Sequence, residues 1–362
     1  MNEIELKLAV SEQIGRALPQ LLANLSEQGL VEIKTQGSQF LANAYYDTPD
    51  QWLASQKMGL RLRQQDAQFV MTLKTNGEVL GGLHSRPEYN LPCASQEPDW
   101  AGFAAHFELP WLAKEQDVLK KFFATDFQRQ TWLLDYQGAQ IELAFDLGEV
   151  KTAQKSQPIC EIEFELKQGE PWHLLAFANV FLAQLAQESA PQTLHFDSVS
   201  KAQRGYRLLQ NNAPLPKNWL DQWRAVVDLE NENFSQKMTA VCQLEQSLIE
   251  ETLAFGADFF AQDFVRTVER IGAFFNLYHF YSENGRWLEQ VANAQLARGA
   301  HLAQDILLKL QQSNQKLLAE IRELIGLHSQ NKDNLAAMQR LIGLLQTPSY
   351  GQRMLDLISL AQ

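Results

Sequence analysis

The chain opens with NEIELKLAV, in which Ile4, Leu6 and Leu8 alternate with Glu3, Glu5 and Lys7. A period of two is the strand period, so one face is apolar and the other charged. The runs FLANAYYDTP, GLRLRQQ, QFVMTLKTN, LHSRPEYNL, DFQRQTWLLDY, AQIELAFDLGEV and PICEIEFELKQ follow as further strands, separated by turn residues. Between them, SEQIGRALPQLLANLSEQG places Ile14, Leu18, Leu21, Leu22 and Leu25 at helical spacing, with Pro19 expected to kink or restart the helix. The stretch from Ala94 to Leu119 reads as loop and helix. A helix is predicted from about Pro171 to Ala190, packing through Leu174, Leu175, Ala178, Phe181, Leu182 and Leu185. After NNAPLPKN the pattern changes: apolar residues recur three and four apart, as in Met238, Val241, Leu244 and Leu248, with breaks at SENGR, SQNKDN and TPSYG. The pattern predicts an α+β chain, with a strand-rich domain over 1–210, a linker over 211–218 and an all-helical domain over 219–362.

Composition narrows the function classes. The 362 residues suit two domains, and 45% hydrophobic with 20% charged residues describes a globular chain with sizeable cores. The net charge of −12, from 31 Lys and Arg against 43 Asp and Glu, argues against nucleic acid or an anionic membrane as partner. Cys93, Cys160 and Cys242 are too few and too scattered for a disulfide framework or a zinc site. An acidic N-terminus without an apolar run, and no stretch of spanning length, lead us to expect a cytoplasmic protein.

The charges themselves are ordered. Glu161, Glu163 and Glu165 share one strand face opposite Ile162, Phe164 and Leu166, and Glu142 and Asp146 share another. Arg61 with Arg63, and Lys74 with Thr72, form basic rows, while Arg86 and Glu88 form a mixed one. Like charges two apart on a strand sit about 6.8 Å from each other and repel by roughly 2 kcal/mol at an effective dielectric of 20. That is tolerable in salt water and costly in a shared cavity unless opposite charges sit among them. Nearly every strand has one apolar and one charged face. A closed sheet with helices packed outside accommodates this pattern, its charged faces lining a wet interior. Acidic and basic rows together suit an anion bound with a divalent cation, carboxylates holding Mg²⁺ or Mn²⁺ and Arg and Lys holding phosphate oxygens. There is no phosphate-binding GxxxxGK[ST] and no HExxH; Gly81-Gly82 reads as a hairpin turn, and His84 as structural.

EIELK resembles the ExExK signature of the CYTH superfamily, the triphosphate tunnel metalloenzymes. YYDTP, GLRLR, TLK, GGLHSRPEY, ELAFDLGEV, PICEIEFEL and SKAQRGY occur in the order that family shows. The resemblance covers about residues 1–210 and is strongest to bacterial inorganic triphosphatases with a helical C-terminal domain. It implies an antiparallel eight-stranded β-barrel tunnel, with Glu3 and Glu5 as metal ligands and Lys7 as a phosphate contact. It further implies that Arg61, Arg63, Lys74, Arg86, Arg129, Lys201 and Arg204 grip the triphosphate, with a structural ion pair the alternative for Arg129 and Arg204, and that Glu161, Glu163 and Glu165 complete the metal sites. Glu161, Glu163 and Lys7 would be catalytic, in a site holding two Mg²⁺ or Mn²⁺ ions. One departure stands out. Related proteins often carry a basic, histidine-rich CHAD domain, whereas from Lys217 onward this chain has 13 Lys and Arg against 17 Asp and Glu, with three His. Its helical domain is CHAD-like but not basic, and its expected roles include packing and homo-oligomer formation.

The expected activity is metal-dependent hydrolysis of inorganic triphosphate to pyrophosphate and phosphate. The alternatives are an adenylate cyclase or thiamine triphosphatase of the same fold, or a non-catalytic module that binds polyphosphate or nucleotide. Every expected ligand precedes Pro214, so a truncation near Asn212 is expected to keep activity.

Overall fold

The alternating runs of the first half close on themselves. The computed structural model describes residues 2–109, 119–187, 193–210, 215–227, 234–283, 285–297 and 303–361. Its strands are β1 (Asn2–Val10), β2 (Glu32–Asp47), β3 (Gly59–Gln65), β4 (Gln68–Lys74), β5 (Glu78–Leu80), β6 (Leu83–Cys93), β7 (Lys120–Tyr136), β8 (Ala139–Lys151) and β9 (Ser156–Gln168). All but β5 form an eight-stranded antiparallel barrel in the order β1–β9–β8–β7–β2–β3–β4–β6, closed by pairing of β1 with β6. The opening strand is therefore the seam: Glu3 pairs with Arg86 of β6, and Lys7 with Glu163 of β9. β5 and β6 form a hairpin through Gly81-Gly82, with Gly81 at φ +60°, a backbone state that glycine enters without steric cost.

Two elements differ from the sequence pattern, each for a physical reason. Helix α1 (Glu12–Glu27) runs as one element through Pro19. An interior proline costs about 3 kcal/mol. Burying Ile14, Leu18, Leu21, Leu22 and Leu25 returns about 1.5–3 kcal/mol each. Gly15 lets α1 come down onto the barrel wall, since a Cβ there would meet the Phe145 ring at 2.0 Å. Strand β2 begins at Glu32, well before Phe40. Its early residues are mostly exposed and polar, so no alternation marks them; their pairing with β7, as in Gln36 with Trp132, is what makes them a strand.

The remaining helices are α2 (Trp52–Ser55), α3 (Trp100–His106), α4 (Pro171–Leu185), α5 (Lys201–Leu209), α6 (Trp219–Val227), α7 (Phe234–Ala261), α8 (Phe264–Glu283), α9 (Gly285–Ala297), α10 (Ala303–Gln330), α11 (Asn334–Leu345) and α12 (Pro348–Ala361), with a short strand β10 (Leu194–Phe196). The chain forms two compact units, one of residues 1–174 with 197–214, the other of 175–196 with 215–362. The first holds the barrel, α1, α2, α3 and α5. The second is helical apart from β10, and most of α4 belongs to it.

In the second unit α7 carries a break at Gly256 (φ +76°). The core of this unit holds a buried polar knot, in which Arg353 meets Glu245 and donates to Asn314 Oδ1 at 2.9 and 3.1 Å. Tyr350 donates to the same carboxylate at 2.6 Å. Part of the expected linker, 211–214, lies outside the described residues, as do His301 and the end of the expected helix at 188–190. Among the described residues no helix is long and apolar enough to cross a membrane.

Candidate active site

Inside the barrel the charged faces surround a cavity of about 770 Å³. Ten Lys and Arg and six Glu line it, a basic interior within an acidic chain. Of the residues singled out in the sequence, Glu3, Glu5, Lys7, Arg61, Arg63, Lys74, Arg86, Arg129, Glu163, Glu165 and Lys201 line the cavity. Glu161 and Arg204 do not. They pair with each other at 2.6 Å, where Glu161 is fully buried.

The carboxylates fall into two groups. In the first, Glu3 accepts from Lys74 at 2.7 Å, Lys74 lies 3.0 Å from Glu88, and Arg86 donates to Glu5 at 2.8 Å. Burial raises the Glu3 carboxyl to about 8; Glu5 and Glu88 add to the rise, against the pull of Lys74. Burial would also raise Glu5, but Lys74 and Arg86 hold it at about 2. Burial works the same way on Glu88, which Lys74 and Arg61 hold below the usual carboxylate range. Glu88 raises Glu3 while Glu3 lowers Glu88, so of this crowded pair Glu3 takes up a proton first. Such a crowded set of hard oxygen donors fits a divalent cation.

The second group is Asp146, Glu161 and Glu163, which offer oxygens within 4.8 Å of one another. Here the neutralising charges are protein cations. Lys201 lies 2.7 Å from Asp146 and 2.8 Å from Glu163, and also meets Glu161. Arg129 grips Asp146 through two 2.7 Å bonds and reaches Glu163 at 2.5 Å. Burial would raise Glu163, yet Lys201 and Arg129 hold it well below the usual carboxylate range. Farther along the same two strands Lys167 bonds Glu165 at 2.7 Å and lies 3.5 Å from Glu142.

The arginines are less well served. Arg63 donates from Nε to Asn43 Oδ1 at 2.9 Å and has no carboxylate partner among the described residues. Burial, with Arg61 and Arg129 nearby, lowers it to about 9. Arg61 comes no closer than 4.0 Å to Glu88, and the buried Nε groups of Arg61 and Arg86 have no hydrogen-bond acceptor among the described residues. Buried donors without acceptors cost about 1–3 kcal/mol each, more when charged. An anion with several oxygens in this cavity would satisfy them.

Sequence reasoning left out three acidic residues of this network. Glu88 was visible only as the partner of Arg86 in a mixed row, and Asp146 as an interior residue without a role. Asp197 gave no signal, because it lies outside the strands; it meets Arg204 and lies 3.8 Å from Lys7. Lys7 Nζ also donates to the Val199 carbonyl. His84, on the interior face of β6, is buried, and burial together with Lys7 lowers it to about 4, so it is neutral at physiological pH. Its Nε2 lies 3.4 Å from the Asp197 carbonyl.

A closed antiparallel barrel whose interior interleaves carboxylates with under-satisfied arginines defines a cavity for a polyanion and a cation together. The chain matches the CYTH domain over residues 1–206 and belongs to that family. It is 44% identical to the inorganic triphosphatase of Haemophilus influenzae, over 100% of this chain and 97% of the relative. A solved Hippeastrum protein, named as a candidate adenylyl cyclase and described as having a dominant triphosphatase activity, is 18% identical with a TM-score of 0.39, over 59% of this chain and 98% of its own. A protein of Pyrococcus horikoshii OT3 is 17% identical with a TM-score of 0.31, over 50% of this chain and 89% of its own.

Proposed function

We propose that this chain hydrolyses inorganic triphosphate to pyrophosphate and phosphate inside its barrel. The observation that carries the reading is the coexistence, in one cavity, of arginine Nε groups without acceptors among the described residues and carboxylates crowded enough to raise Glu3 to about 8. The full-length likeness to an inorganic triphosphatase supports it. Arg61, Arg63, Lys74, Arg86, Arg129 and Lys201 bind the phosphoryl oxygens and stabilise the charge that develops on them. Lys7, anchored by Val199 and Asp197, holds one end of the anion. Glu3, Glu5, Glu163 and Glu165, with Glu161 behind them, are the residues that would hold Mg²⁺ or Mn²⁺. A divalent cation held there supplies charge neutralisation and lowers the pKa of a bound water. Arg204 and Glu161, paired beside the cavity, keep Lys201 in place. The wall of buried strands limits bulk water, so each of these charges acts in a medium where electrostatics are strong.

We place the reaction in the cytoplasm. Phosphate release from triphosphate, ATP and thiamine triphosphate, each with Mg²⁺ and Mn²⁺, tests the reading. Triphosphate is expected to be the best substrate, since charged side chains make up half of the cavity's lining. Production of cAMP and pyrophosphate from ATP as the main reaction would replace the reading with a cyclase, and binding without turnover would replace it with a sensing module.

A further inference from the structure

The helix that carries Lys201 into the cavity is short, and three carboxylates around one ammonium do not dictate a single position for it. The rest of the helix must help to seat it, beginning with Arg204, which pairs with Glu161 and Asp197. At its start, Ser200 and Gln203 form a capping box. In its middle, Gly205 lies against the Phe123 ring, where a Cβ would come within 2.1 Å. Toward its end the Tyr206 ring meets Phe123 edge-on at 5.0 Å, and its hydroxyl donates to Asp47 Oδ2 at 2.7 Å.

Asp47 is fully buried at the end of β2. Its Oδ1 accepts from the amides of Thr48 at 2.7 Å and Leu53 at 2.8 Å, and its Oδ2 from the amide of Ala54 at 3.0 Å. One carboxylate thus joins the strand end, the start of α2 and the back of α5. A further hydrogen bond at the end of α5, from exposed Lys155 to the Gln210 carbonyl at 3.2 Å, rests on a flexible side chain. Burial and the Asp47 bond push the Tyr206 hydroxyl well above its ordinary value, so it remains a donor.

We propose that the Tyr206–Asp47 hydrogen bond is a positioning latch that sets the seat of α5 and, through it, the place of the Lys201 ammonium among Asp146, Glu161 and Glu163. Tyr206 and Asp47 are then positioning residues for the reaction. The inference rests on the proposed triphosphatase reading, and the experiment separates the two. Tyr206→Phe removes only the hydroxyl; it is made in the wild-type chain and in a Lys201→Gln chain, with kcat, KM and melting temperature measured for all four proteins. A latch predicts that Tyr206→Phe lowers kcat about tenfold in the wild-type background with KM changed much less, because a misplaced group costs rate more than binding. In the Lys201→Gln background the same change should lower kcat by less than about twofold, since the group it positions is gone. Equal losses in both backgrounds, or no loss of kcat in the first, would overturn the latch while leaving triphosphate hydrolysis standing. A folded wild-type chain that releases no phosphate from triphosphate would overturn both readings. If Lys201→Gln does not fold, Asp47→Asn decides: a latch predicts that it reproduces the kcat loss of Tyr206→Phe, and unchanged kcat in a folded Asp47→Asn protein would overturn it.

Discussion

Glu163 is the residue on which the proposed chemistry converges, because it touches Lys201 and Arg129 at once and lines the cavity. Glu163→Gln keeps the shape and removes the charge. We expect kcat to fall about a hundredfold, equivalent to about 2.7 kcal/mol of transition-state stabilisation, while calorimetry still detects triphosphate binding. Normal turnover in that variant would remove Glu163 from the mechanism. Glu3 carries a pH prediction. With its carboxyl raised to about 8, it is protonated at neutral pH in the chain without a cation, and a cation must displace that proton. Metal affinity should therefore rise with pH up to about 8 and level off above it, and calorimetry in buffers of different ionisation enthalpy should register proton release near pH 7. The linkage to stability has the opposite sign. The raised carboxyl favours the folded state fully below its unfolded value near 4.5, and this contribution fades as pH climbs through about 8. An affinity independent of pH from 6 to 9 would remove Glu3 as a ligand.

At the scale of elements, the barrel is a device for making charged strand faces meet, and α5 completes it. Buried ion pairs of this kind add little net stability against apolar packing, so the interior network is better explained by ligand binding than by folding. The apolar faces and helices outside the barrel supply the stability. Gly205 tests how closely α5 must sit. Gly205→Ala would drive a methyl into Phe123, and overpacking of this sort costs about 1–3 kcal/mol. We expect a folded protein with a lower melting temperature and a turnover reduced well beyond what the stability loss alone explains. Full activity in Gly205→Ala would show that the seat of α5 tolerates displacement. Pro19, by contrast, shows an element overriding a local signal, since the buried face of α1 outweighs the proline.

For the whole molecule, chelation is the simplest test: excess EDTA should abolish phosphate release, and Mg²⁺ or Mn²⁺ should restore it. Turnover that survives chelation would end the metal-dependent reading. Truncation near Asn212 now carries a different expectation from the one drawn from the ligands' places before Pro214. Residues 175–196 belong to the helical unit, where the Leu194 amide bonds the Gln346 carbonyl and Gln246 bonds the Phe196 carbonyl at 2.7 Å. Cutting the chain near 212 removes those partners and uncovers Leu182, fully buried beside Gly351. We expect that fragment to aggregate; a soluble, active fragment would show that this segment needs no cover.

By itself the sequence determined the strand faces and most of the charges on the cavity wall. The pleat puts residues two apart on one side whatever the chain's long-range course, so EIELK, GLRLR and CEIEFEL could be sorted into inner and outer positions from local pattern alone. Helical spacing likewise separated the second half from the first. Which charges meet was decided only by closure of the sheet. Lys7 faces Glu163, and Glu3 faces Arg86, because β1 pairs with two strands distant in the chain. The same closure withdraws Glu161 and Arg204 from the cavity surface, brings Glu88 onto it and Asp146 into the buried network behind it, and lets Asp47 reach Tyr206 across 159 residues of chain. Register, burial and charge pairing are long-range quantities, and no local alternation encodes them.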